Sequence, residues 1–502
     1  MNLTKASQKI IKVTTLVIFT GNLLGSIIDP DIAPNITLSQ EAWLTGRLDS
    51  AFILYLTELD TAIYTKPTIY YNLAYLSYLK GDTEKTTFFI EKSLSENKNF
   101  GPALFLYGLL QLKRNDFSKA LRLLSKASIH YSFREYPEYY LGLIQLKKGE
   151  PLKALRHFKR ALRLNKKFTR TYPQMAKTYL LLGDTAKAEN VLLDGLSHSY
   201  DAEILLSLGD LYSSLGNERK AKKYYGLFVY FFPYHPSYQR VTEWLNSHGV
   251  ENPYTTDFSP PPERNPEDRF FPIGEEKLYN VFFGPIKSGE LYTKIADTLN
   301  FNGIDVYKVY FSIDSNPALA FIATVHSDYI TYLDQNSKLA VRHFLHTREN
   351  KIINEKIYDF DRKNGKFICR VVQKDGHIQY IEKWLPRYTT DGTSILFYAR
   401  QLVKEKRNER VMTIIDENFV VSDINFTGKF EPVEHNDTVE MGILITGKNH
   451  YKGILGFTGN FRGWFRNNHT YLPIQADFEI WVGRILIKMG SQLELKLRKF
   501  AR

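Results

Sequence analysis

Residues 142–195 read GLIQLKKGEPLKALRHFKRALRLNKKFTRTYPQMAKTYLLLGDTAKAENVLLDG, and their spacing decides the fold of the first half of the chain. Gly149-Glu150 and Gly183-Asp184 stand 34 residues apart. Five positions after each turn comes Ala154 or Ala188, seven before it Gly142 or Ala176, and twelve after it Ala161 or Gly195. Large apolar residues, Phe158, Met175 and Leu192, lie between these small ones. A glycine turn flanked by small residues at such offsets predicts two antiparallel helices in close approach.

The period extends in both directions. Gly81-Asp82, Asn115-Asp116 and Gly216-Asn217 continue it at intervals of 34, 34 and 33 residues, giving five units over residues 67–233. A degenerate unit over 35–64 keeps the five-residue offset through Gly46 and Ala51, and a closing helix is expected at 236–248. The pattern resembles the tetratricopeptide repeat, a helix–turn–helix of this length. Tyr179 and Tyr212 match its helix-A tyrosine and Pro233 its closing proline. Gln111 and Gln145 replace that tyrosine, and Ser132, Lys166 and Tyr200 replace that proline. The resemblance implies a stacked superhelix whose groove takes a protein or peptide partner. Tyr172, Tyr179 and Tyr212, on the groove face of the A helices, are the candidate partner contacts.

The charge of the chain is concentrated in these repeats. Residues 67–233 carry 18 Lys and 8 Arg against 15 acids, nearly all of the net +12. Its densest stretch is 147–170, where Glu150 is the sole acid. Arg156, Lys159, Arg160 and Arg163 fall at i, i+3, i+4 and i+7 and share one helix face, so they are the candidate electrostatic contacts. A solvated face is the plain reading of such a run. An acidic protein or an anionic membrane surface is the functional one. No nucleic acid is expected, because neither a base-reading helix nor an RNA-binding aromatic motif accompanies the charge.

At the N-terminus Lys5, Lys9 and Lys12 precede the uncharged run Val13–Ile28, the shape of an export signal or membrane anchor over residues 1–30. The repeat domain then fills 31–249. Six prolines between 250 and 273 predict a stiff linker. From 274 to 502 the apolar period changes to two, with hairpin signals at Asn302-Gly303, Asn364-Gly365 and Asp375-Gly376. The strands expected include 339–346, 452–457 and 484–497, with helices at 391–403 and 317–323. The fold class expected is therefore an all-α repeat superhelix followed by a mainly antiparallel β half-barrel with one or two helices.

Gly274-Glu275-Glu276-Lys277-Leu278, Asp391-Gly392 with Tyr398 and Arg400, Gly463-Trp464-Phe465, Leu472-Pro473 and Gly483 resemble a bacterial cell-envelope domain family of unknown function. This implies a curved sheet similar to lipoprotein carriers, with an apolar groove. Trp464, Phe465 and Trp481 are candidates to line it, with core packing as the alternative. Arg400 is expected to pair with a sheet carboxylate or touch a ligand, and Asp391 to cap the helix.

No motif names a reaction. The phosphate-cradling, zinc-protease, nucleophile-elbow and dithiol patterns are absent, and the single cysteine, Cys369, excludes a disulfide framework. His343 and His346 point to opposite faces of a strand and read as surface residues, so no metal or cofactor is expected. Cys369 reads as a small buried hydrophobe, and Gly453–Gly459 as bulges that bend the sheet. The sequence thus points to a non-enzymatic adaptor of the periplasm or cell envelope. A carrier of a lipid or lipidated protein and an envelope-polymer enzyme are the alternatives.

Overall fold

The computed structural model describes residues 36–60, 65–250, 271–319, 324–349, 352–415, 417–435, 438–450, 459–480 and 483–501. The N-terminal segment, most of the proline-rich linker, the strand expected at 452–457 and Trp481 lie outside these ranges. The chain packs as two compact units. One comprises residues up to 132 with 354–357 and 370–380, and the other 133–353, 358–369 and 381–502.

The first unit holds three helix pairs: α1 (Leu38–Leu44) with α2 (Leu48–Glu58), α3 (Lys66–Leu79) with α4 (Thr83–Glu96), and α5 (Gly101–Lys113) with α6 (Phe117–His130). The second holds α7 (Glu135–Lys147) with α8 (Pro151–Leu164), α9 (Thr171–Leu181) with α10 (Thr185–His198), α11 (Ala202–Ser214) with α12 (Glu218–Phe231), and the closing α13 (Tyr238–Ser247). The turns have a common physical basis. Gly81, Asn115, Gly149, Gly183 and Gly216 all take positive φ, between 61° and 77°, where glycine is free of strain and asparagine is the best tolerated substitute. After four of these turns Asp82, Asp116, Asp184 and Asn217 cap the second helix, accepting from the amides of Lys85, Lys119, Lys187 and Lys220 at 2.9–3.2 Å. Glu150 does not cap; Pro151 starts that helix instead.

The small residues are spent on close packing. A Cβ on Gly142 would lie 2.5 Å from Phe158, and one on Gly209 2.3 Å from Tyr225. Ala120, Ala154, Ala188 and Ala221 are fully buried opposite them.

Fifteen strands among the described residues form one sheet. They are β1 (Glu276–Phe283), β2 (Ile286–Phe301), β3 (Ile304–Ser315), β4 (Val325–Asp334), β5 (Ala340–Glu349), β6 (Ile352–Asp361), β7 (Lys366–Val372), β8 (Ile378–Trp384), β9 (Thr389–Thr390), β10 (Arg407–Ile415), β11 (Asn418–His435), β12 (Thr438–Asn449), β13 (Gly459–Arg466), β14 (Pro473–Ile480) and β15 (Gly483–Met489). The order runs β8 to β1, then β15 back to β9, so β1 and β15 join two meanders and the sheet stays open. The pairings with recorded register are antiparallel except β9 with β10. Helix α14 (Ser394–Leu402) lies on one face, burying Tyr398, Ala399 and Leu402 among Val411, Ile424, Ile443 and Phe465. Its Phe397 joins a second cluster with Phe271, Tyr307 and Leu333.

Two expectations about elements need correction. The strand expected at 484–497 ends at Met489, and α15 (Gln492–Ala501) follows. The Ser491 hydroxyl accepts from the Glu494 amide while the Glu494 carboxylate accepts from the Ser491 amide, a reciprocal cap that starts the helix. The helix expected at 317–323 is a short 3-10 turn at Pro317–Leu319 within the described residues.

Candidate functional site

The four cations singled out in the sequence converge on one cavity of the second unit. Helix α8 turns Ala154, Leu155, Phe158 and Ala161 inward, which leaves Arg156, Lys159, Arg160 and Arg163 exposed on the opposite side. The cavity measures about 580 Å³ and is walled by these four together with Lys166. Leu162, Tyr172 and Met175 contribute its apolar surface, and Asp194 is its acid.

Few carboxylates answer this charge. Arg160 stands 4.0 Å from Glu138, whose other oxygen takes a 2.7 Å hydrogen bond with His157 Nδ1. Asp194 lies 3.7 Å from His198. Arg156, Lys159, Arg163 and Lys166 have no carboxylate within 4.0 Å among the described residues. Burial holds the His198 imidazole below its ordinary pKa, and Lys166 and Lys167 push it the same way. Burial, with Asp194 alongside, pushes the Tyr172 phenol up. Near neutral pH, then, cations surround an apolar surface beside a neutral imidazole. Such a site favours an anion with an apolar part.

The tyrosines do not form a groove surface. Tyr172 is 1 % exposed, Tyr179 7 % and Tyr212 2 %. Tyr172 packs under Gly195, where a Cβ would sit 2.6 Å from its ring, and its hydroxyl donates to the Lys166 carbonyl at 2.9 Å. Tyr179 lies beneath Lys159 and Lys187. Tyr212 stacks on Tyr224 and donates to Glu189. All three are packing residues of the repeats, because a helix-A ring fills the space that the small residues of the neighbouring helix leave open. Tyr172 alone also borders the cavity.

The β-domain candidates are buried as well. Trp464 and Phe465, adjacent on β13, face opposite sides of the sheet. Trp464 packs with Val433, Leu444 and Ile474 and donates its indole N–H to Glu431 at 3.0 Å. Phe465 packs beneath α14. Both are buried and serve the core, the alternative reading of these rings. His343 and His346 are buried, not surface residues. His343 is hydrogen-bonded to Thr331 at 2.7 Å and stacked on Tyr329. Cys369 is fully buried, as expected of a small hydrophobe.

Arg400 finds its carboxylate. It donates to both oxygens of Glu275 at 2.7 and 3.0 Å and to the Thr470 carbonyl at 2.8 Å, with the Phe271 ring 4.2 Å away. Asp391 accepts from the amides of Thr393 and Ser394, as a helix cap should. Arg400, through Glu275, ties α14 to the residue that precedes β1.

What the sequence reading missed is the rest of the cavity wall. Lys166 sits in the loop after α8, Met175 on α9 and Asp194 on α10. The repeat period carries the signal, since α9 must stack on α8. No group of three or more metal-ligating side chains occurs among the described residues, and no helix among them is long and apolar enough to cross a membrane.

The helix pairs, their period and their packing are those of tetratricopeptide repeats, and the strands of the large open sheet follow them in the sequence. Residues 202–233 match the family described as tetratricopeptide repeat, and residues 278–489 match the family described as protein of unknown function (DUF3108). A BBSome complex member BBS4 homolog of Drosophila melanogaster is 29% identical over 100 residues, 20% of this chain. The match spans 21% of that relative's own length. Among solved structures, PilF of Pseudomonas aeruginosa is 19% identical with a TM-score of 0.37, covering 42% of this chain and 94% of its own. TTC0263, a repeat protein of Thermus thermophilus, is 23% identical with a TM-score of 0.30, covering 36% of this chain and 97% of its own.

Proposed function

We propose that this chain is a non-enzymatic adaptor whose repeats hold an acidic segment of a protein partner, seated in the cavity between α8, α9 and α10. One observation carries the reading: five cations border a cavity with an apolar surface, and four of them lack a carboxylate neighbour among the described residues. A solvated face needs no cavity, and its charges would be scattered. Two like ions 4 Å from an acidic side chain would each contribute about 1 kcal/mol in bulk water and about 4 kcal/mol in partly shielded surroundings. The apolar surface lets a Leu or Phe of the partner anchor beside its carboxylates.

The proposal includes a location. The cationic start and the uncharged run Val13–Ile28 support export to the periplasm or tethering at the cell envelope. Mapping the N-terminal peptide of the mature protein tests this; an intact Met1 in a soluble cytosolic fraction contradicts it.

The binding reading is tested with the full chain and a fluorescent Asp/Glu-rich peptide carrying one Phe. Anisotropy should report binding that weakens steeply from about 50 to about 300 mM salt and is lost in Arg156→Glu/Arg163→Glu. Binding indifferent to salt and to the double variant overturns the proposal. Salt-sensitive binding of phosphatidylglycerol vesicles, with no binding of the peptide, would transfer the site to a membrane surface.

A further inference from the structure

Within the first unit, one face of the A helices α1 and α3 is covered by another part of the chain. The turn Gln373–His377, between β7 and the edge strand β8, lies against α1 and α3. Its Gly376 carbonyl accepts from two side-chain amides, Gln40 Nε2 at 3.1 Å and Asn72 Nδ2 at 3.2 Å. Asn72 Oδ1 in turn accepts from the Ile378 amide at 3.3 Å. Gly376 takes φ +84°, a left-handed turn conformation that glycine adopts without strain. The His377 ring is 1 % exposed, with Tyr71 at 5.6 Å and Tyr131 at 6.1 Å.

Three features distinguish this contact from ordinary core packing. The recognition is of backbone: both amides read the Gly376 carbonyl, and Asn72 also reads the Ile378 N–H, a pairing that any turn of the same shape can make. The imidazole is held by its own neighbour, Asp375, through Nδ1, while its Nε2 has no hydrogen-bond partner among the described residues. It therefore fits by shape, and a phenyl or phenol ring would serve equally. Finally, the turn belongs to an edge strand, which is bonded to the sheet on one side only.

We infer that the face formed by Gln40, Tyr71, Asn72 and Tyr131 is a peptide-docking surface whose resident ligand is the chain's own Gln373–Ile378 turn, bound in cis. A protein partner for this face is a tight turn that presents a glycine carbonyl outward, followed by an aromatic or imidazole side chain. It competes with the resident turn. The inference rests on the first unit alone and stands or falls separately from the acidic-segment reading.

The test uses the full chain and a cyclised peptide of sequence RVVQKDGHIQY, which reproduces residues 370–380. Wild type, its face filled, should bind the labelled peptide weakly. His377→Ala, which loosens the resident turn, should bind it at least tenfold more tightly. Adding Asn72→Ala to that variant should abolish the gain. Hydrogen exchange supplies a second readout: in Asn72→Ala alone, amides 373–380 should exchange at least tenfold faster while α5 and α6 keep their protection. Equal peptide binding by wild type and His377→Ala overturns the inference. So does exchange in Asn72→Ala that rises equally through every helix of the unit, since the turn would then be a permanent brace. Concentration-dependent dimers of His377→Ala that are filled by the turn of a second copy overturn the cis assignment.

Discussion

Replacing Arg400 by Met should separate a structural ion pair from a ligand contact. The guanidinium is 3 % exposed and the Glu275 carboxylate 10 %. Removing the cation leaves that carboxylate buried without its charge partner and leaves the Thr470 carbonyl short of two donors. Breaking a buried pair from one side costs about 3–5 kcal/mol. At about 2–4 °C per kcal/mol for a body of this size, the melting temperature should fall by roughly 6–20 °C. Arg400→Met/Glu275→Leu removes both charges, and such double replacements are often neutral. Most of the loss should therefore return, apart from about 1 kcal/mol for the unpaired carbonyl. Urea unfolding of the wild type and the two variants measures this, with the denaturant slope unchanged across the series. If the double variant is as unstable as the single one, the carboxylate is not what suffers, and the assignment of Arg400 as the partner of Glu275 is wrong.

Gly209→Ala forces a Cβ to within 2.3 Å of the Tyr225 ring, so thermal unfolding should show a loss of about 1–3 kcal/mol. Gly216→Ala meets no atom within 4 Å but must hold φ +67°, and should cost about 1 kcal/mol through backbone strain alone. Asp314 first, and Asp328 second, hold His326 up at about 9. Its folded-state pKa lies above the unfolded value, so its stabilisation is complete below about pH 6.5 and disappears as pH rises through about 9. The melting-temperature gap between wild type and His326→Gln should therefore shrink between about pH 6 and about pH 10, and a gap constant with pH would refute the pairing. Arg156→Glu/Arg163→Glu touches only exposed side chains and should leave stability within about 0.5 kcal/mol of wild type per site.

The repeats were legible because their constraints are local. A turn that requires positive φ admits Gly or Asn, and a close helix crossing admits Gly or Ala, so Gly149, Asn115 and Ala154 announce themselves. The cationic face of α8 was legible for the same reason, as helical periodicity fixes which side chains share a side. The second half of the cavity, from Lys166 to Asp194, depends on one repeat stacking on the next and shows only when the period is carried through three dimensions. Burial of Tyr172, Tyr179, Tyr212, His343 and Trp464 was not legible, since a ring at a helix or strand position looks alike whether it meets solvent or another element. The cap that starts α15 was readable in Ser491-Gln-Leu-Glu494, but the apolar alternation running into it concealed the break. The bonds from Gln40 and Asn72 to Gly376 join residues more than 300 positions apart, and no local pattern marks them.

Hydrogen exchange of the full chain with the acidic peptide added tests the adaptor reading most directly, because it shows where the peptide sits. Slowed exchange confined to residues 151–181 and to Thr185–His198, and absent in Arg156→Glu/Arg163→Glu, is the predicted result. Protection that falls on the β sheet, or that survives the double charge reversal, would contradict it.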